Sequence, residues 1–150
     1  MKTMKQLKRI ICTAVMTPMF VLASVAAHAA TIHFKADLQA SSEVPAKNST
    51  GTGTLTASLD TDTNELTYHV EFSGLTGPVV AAHFHGPAAP GANSKPQVPI
   101  KVSPIVSPID GKATLTPDQA KDLEDGQWYF NLHTSANPSG EIRGQVFKAE

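Results

Sequence analysis

Leu66-Thr-Tyr-His-Val-Glu-Phe72 sets four apolar residues, at 66, 68, 70 and 72, against Thr67, His69 and Glu71. A period of two sends successive side chains to opposite faces, so this stretch reads as a strand with one face buried and the other in water. The polar run Asp60-Thr-Asp-Thr-Asn64 before it and Gly74-Leu-Thr-Gly-Pro78 after it have turn composition. Strand patterns flank these turns, at about 31–38 and 53–59 on one side and 79–85 on the other. Residues 86–97 hold three Pro and two Gly and read as a loop, whereas 98–106 is apolar but broken by Pro99 and Pro104, which suits an edge strand. Strands at about 127–134 and 141–148, joined through the turn Asn137-Pro-Ser-Gly140, complete the set. One short helix is expected at about 117–125: Thr116 caps it, Pro117 opens it, Gln119 completes a capping box and Gly126 ends it. The expected fold is therefore all-β, an antiparallel Greek-key sandwich or barrel of about seven or eight strands.

The first 29 residues follow another logic. Lys2, Lys5, Lys8 and Arg9 precede an apolar run over 10–27, and Ala27-His-Ala29 places small residues before a cleavage point. That order of regions reads as a signal peptide (1–29) cleaved after Ala29, leaving one domain over 30–150 with no membrane span. The expected location is the periplasm or the extracellular medium. Cleavage leaves eight Lys and Arg against thirteen Asp and Glu, a net charge of −5. Such a chain has no cationic excess with which to bind nucleic acid. The only Cys, Cys12, lies in the leader, so the mature domain has no disulfide, no thiol nucleophile and no thiolate ligand.

Chemistry is concentrated in the histidines. His83 and His85 flank Phe84, and on a strand both imidazoles face the same way. His133 lies with Tyr129 and Asn131 on the face of its strand opposite Trp128, Phe130 and Leu132. If the two strands approach, three imidazoles converge at the end of the barrel, a donor set that suits a divalent transition metal such as copper or zinc. His69 sits on a polar face and reads as solvated. Glu141 and Arg143 share a face near the chain's end and read as a surface or rim pair, with Arg143 also a candidate guide for small anions. There is no Gly-x-Ser-x-Gly elbow, no paired-acid site and no phosphate-binding Gly loop.

Several segments resemble the CHRD domain, a module named from chordin and common in exported bacterial proteins. They are Phe34-Lys-Ala-Asp-Leu-Gln-Ala-Ser-Ser-Glu-Val-Pro45, Ser49-Thr-Gly51, the strand from Leu66 to Phe72, Gly74-Leu75, Ala81-Ala-His-Phe-His-Gly-Pro-Ala88, and 129–146. In chordin the module accompanies growth-factor binding, but the Cys-rich repeats of chordin are missing here and that role is not carried over. The order Gly-Leu, His-x-His, late His, then Asn137-Pro-Ser-Gly-Glu-Ile-Arg-Gly144 is also similar to copper/zinc superoxide dismutase. That likeness implies that His83, His85 and His133 are copper ligands and Arg143 an anion guide. The bridging histidine, the zinc ligands and the structural Cys of that enzyme have no counterparts, so it implies at most a copper-only centre.

The expected function is that of an exported binding module for a metal ion or an unknown protein, with a copper-dependent oxidoreductase as the alternative. Intact-mass measurement of the exported protein should place its N-terminus at Ala30; retention of residues 1–29 would contradict the leader assignment.

Overall fold

The alternation around Tyr68 becomes strand β3 (Glu65–Ser73) in the computed structural model, which describes residues 30–150. The expected leader, with Cys12 and the Ala29 cleavage point, lies outside the described residues. Leu66, Tyr68 and Val70 are buried while Thr67 and Glu71 are exposed, as a one-sided strand requires. The other strands are β1 (Thr31–Gln39), β2 (Thr52–Asp60), β4 (Val79–His85), β5 (Pro96–Pro99), β6 (Ile109–Thr114), β7 (Trp128–Thr134) and β8 (Ile142–Lys148).

All pairings are antiparallel, in the order β5-β4-β7-β8-β1-β2-β3-β6. The chain leaves β3 at one side of the sheet, crosses to β4 and β5, returns to β6 beside β3, and crosses again to β7. These crossings give the Greek-key path expected from the sequence. The sheet curls into a nearly closed barrel, with edge strands β5 and β6 flanking the seam and a single bridge between Val79 and Ile105 beside it. Inside lie Phe34 and Leu38 of β1, Leu55 and Leu59 of β2, Phe84 of β4, and Trp128, Phe130 and Leu132 of β7, all almost wholly buried.

Helix α1 (Pro117–Glu124) forms where its end signals put it. Gln119 N–H donates to Thr116 Oγ1 at 3.2 Å and Thr116 N–H donates to Gln119 Oε1 at 2.9 Å, closing the capping box. Gly126 supplies the left-handed backbone, φ +70°, that stops it.

One expectation needs correction, and one strand is added. The apolar stretch 98–106 is not one strand: β5 covers only Pro96–Pro99, and Ile105 makes an isolated bridge. Proline nitrogens at 99 and 104 have no hydrogen to give a ladder, and past Pro99 the pairing with β4 goes no further than Ile100 N–H to Ala82 O at 3.0 Å. Conversely, Ile109-Asp-Gly-Lys-Ala-Thr114 is a strand that its composition hides. Gly111 contributes no side chain because Tyr68 occupies that space; a Cβ at 111 would lie 2.5 Å from Tyr68 Cζ.

Phe84 is packed edge-on against Tyr68 and Phe130, with ring centroids 5.3 and 4.9 Å away, and leans on Trp128 at 5.9 Å. Phe84→Ala should therefore lower unfolding free energy by about 3–5 kcal/mol, measured by denaturant titration. A loss below about 1 kcal/mol would contradict this core assignment.

Candidate metal centre

Because Ala82 and Phe84 point into the barrel, the intervening side chains of β4 point out. The same alternation turns Tyr129, Asn131 and His133 of β7 outward. Register then aligns them, with Ala81 opposite His133, His83 opposite Asn131 and His85 opposite Tyr129. The three histidines do meet, but on the outer wall of the barrel and not at its end. This outer face is covered. The loop 86–95 and the stretch 40–51 fold over it, so that β7 buries both faces and His85, Asn131 and Arg143 are buried with it.

His83 Nδ1 lies 3.3 Å from His133 Nε2. One nitrogen from each of His83, His85 and His133 falls within 4.8 Å of the other two. Backbone carbonyls fix two of the rings. His85 Nδ1–H donates to Ser94 O at 2.9 Å and His133 Nδ1–H to Pro138 O at 3.0 Å. A carbonyl accepts and cannot donate, so these bonds place a hydrogen on Nδ1 of each ring, and His133 Nε2 is the atom that faces His83 Nδ1. His85 Nε2 is buried without a hydrogen-bond partner. Burial, reinforced by His133 and His85, pushes the His83 imidazole down to about 4. Burial also pushes His85 down, partly offset by the Ser94 carbonyl. Both are neutral at pH 7, the state in which imidazole ligates a metal. The three rings therefore make a candidate donor set for a transition-metal ion.

Polar groups behind the histidines brace them. The His85 ring stacks on Tyr129, with centroids 4.7 Å apart and planes 3° from parallel. The Arg143 guanidinium lies 3.4 Å from the centre of the Tyr129 ring and donates to Asn93 Oδ1 at 2.8 Å and to Ala92 O, which ties down the covering loop.

Arg143 and Glu141 are not a surface pair. They are 2% and 0% exposed and bond to different groups. Arg143 holds its charge beneath the loop and not at an open rim. Glu141, just before β8, accepts from Ser49 Oγ at 2.6 Å, from Thr76 N–H and Oγ1–H at 2.8 Å each, and from Thr134 Oγ1–H. Burial would raise this carboxyl, but the four donors outweigh it and hold it at about 2. His69 is partly exposed and paired with Asp110 at 2.7 Å, apart from the trio, as its polar face suggested. Sequence reasoning gave no role to Glu43, Ser94 or Pro138, which are brought to the site only by loop closure. Asn131 was visible as a neighbour of His133 on the same face.

An antiparallel Greek-key barrel with a histidine trio on its outer wall is the class of protein that fold and site define. The model of the CHRD domain family matches residues 34–146, and the chain belongs to that family. CHRD domains are extracellular modules in general. No protein with a curated description and no solved structure matches the chain. Among the described residues no helix is long and apolar enough to cross a membrane.

The depressed histidine has a consequence for acid stability. Between its folded value of about 4 and its ordinary 6.5, the unfolded state binds more protons at His83 than the folded state, so stability rises with pH through that window. Glu141 adds a further loss as pH falls from 4.5 towards 2. Glu43, raised by burial, and His69, raised by Asp110, act in the opposite sense. The denaturation midpoint of metal-free protein should fall between pH 7.5 and pH 5, and fall less in His83→Asn. An equal fall in both proteins would contradict the burial of His83.

Proposed function

We propose that this protein is an exported CHRD module that binds one divalent transition-metal ion, copper in preference to zinc, through His83, His85 and His133. The observation that carries the reading is the convergence of three imidazole nitrogens within 4.8 Å, two of them turned inward by carbonyl-bound Nδ1–H groups. Neutral imidazoles without a thiolate suit copper(II) and zinc(II), and copper(II) binds more tightly to a given nitrogen set. Rigid strands hold two ligands on β4 and one on β7, so little conformational freedom is lost on binding. The leader expected over 1–29 supports an exported location, where metal would be met outside the cytoplasm.

Turnover of a small oxidant by bound copper is the second reading. It is favoured by the partial exposure of His83 and His133, which gives solvent a route to the ion. Such turnover requires an open coordination position, whereas simple binding does not.

Calorimetric titration of the metal-free protein with copper(II) and with zinc(II) tests the proposal. The expected result is one ion per chain, with copper tighter. His83→Ala should weaken binding more than about 100-fold, given that even outer groups of metal sites are worth 10–100-fold. His69→Ala should leave it unchanged. Since His83 and His85 resist protonation, affinity should survive to about pH 6 and disappear towards pH 4. Unaltered copper affinity in His83→Ala would refute the site. A superoxide consumption assay on the copper-loaded protein separates the two readings.

A further inference from the structure

Asn131 is the side chain in this region whose position the histidine trio does not explain. It lies on β7 directly opposite His83, between Tyr129 and His133 on the outward face, and it is 4% exposed. Its Nδ2–H donates to Glu43 Oε1 at 3.3 Å. Gly140 permits this approach, since a Cβ there would lie 3.0 Å from Asn131 Nδ2 and would collide with the Glu43 carboxylate. Fixing the amide nitrogen on Glu43 aims the amide oxygen the other way. That oxygen and His85 Nε2 are both buried without a partner elsewhere, and the Asn131 amide sits within hydrogen-bonding reach of the His85 ring, where it favours the protonated form.

Both orphaned atoms are acceptors. His85 has committed its proton to Ser94 O, and an amide oxygen has none to give. A proton on His85 Nε2 would bridge the two atoms, but burial of the ring disfavours it, so the pair lacks the donor that such groups normally find. A cation satisfies both at once. We infer that Asn131 Oδ1 is a fourth donor of the site, completing a closed set of three imidazole nitrogens and one amide oxygen. This rests on the metal-binding reading and sharpens it. Sites closed by four protein donors hold an ion, whereas catalytic sites keep a position for water or substrate. The oxygen also sets selectivity: it suits copper(II) and zinc(II), while copper(I) prefers softer donors.

The test compares the parent protein with Asn131→Ala and Asn131→Asp, with thermal unfolding of each metal-free protein as the check on folding. Titrations use copper(II), zinc(II) and copper(I) alone, and water-proton relaxation is measured on the copper(II) forms. In Asn131→Ala, copper(II) and zinc(II) affinities should fall at least about tenfold, copper(I) affinity should change little, and relaxation enhancement should rise as water takes the vacated position. Asn131→Asp, which retains an oxygen but loses the donor to Glu43, should keep copper(II) affinity; if the alanine variant fails to fold, this variant decides. Equal losses in both variants would mean that Asn131 acts only through Glu43, and would overturn the inference. Unchanged affinity in Asn131→Ala, or strong relaxation enhancement already in the parent, would overturn it too, while loss of binding in His83→Ala would still leave the histidine site standing. Failure of the parent to bind copper(II) or zinc(II) would overturn both.

Discussion

A strand has two faces, and the arrangement of this protein depends on both faces of β4 and β7 being covered by different materials. Phe84, Trp128, Phe130 and Leu132 face an apolar interior, while His85, Tyr129 and Asn131 face a polar layer sealed by loops. A polar group removed from water has to find partners, or its burial costs about 1–3 kcal/mol. Most of this layer finds them in the loops that cover it: Ser94 O for His85, Asn93 and Ala92 for Arg143, and Ala88 O for Gln145. The loops are therefore held by the same side chains that they bury.

Glu141 plays a comparable part at the other end of β7. Its carboxylate collects donors from Ser49, Thr76 and Thr134, tying three separate segments to the turn before β8. That turn presents Pro138 O to His133. The ring orientation of one candidate ligand is thus linked through a short backbone path to a buried ionised carboxylate. His85 is linked in the same way to Arg143 through the Tyr129 ring. Preorganisation of this kind lowers the conformational cost of binding an ion.

How much of this the sequence displayed depends on the range of the interactions involved. Alternation at 66–72 and the His-Phe-His triplet are local patterns, and they placed the strands and the shared face of His83 and His85 correctly. The capping box at Thr116 and Gln119 is local too. Strand β6 was illegible because its place in the sheet depends on Gly111 leaving room for Tyr68, a contact across 43 positions that leaves no alternating pattern. Glu141 and Arg143 looked like surface residues because charge in a period-two strand ordinarily marks water. Here the outer face meets loops contributed from 43–51 and 86–95, and periodicity carries no information about what covers a face. The same blindness put the histidines at the barrel's end when they lie on its wall.

The central claim is that the fold orients the rings of the candidate ligands His85 and His133 through backbone carbonyls that bind their Nδ1–H groups. Long-range proton–nitrogen correlation spectra of the metal-free protein, recorded at pH 7 by NMR, report which ring nitrogen carries hydrogen. The account predicts that Nδ1 carries hydrogen in both rings, because Ser94 O and Pro138 O can only accept. Finding Nδ1 of either ring without hydrogen would contradict it.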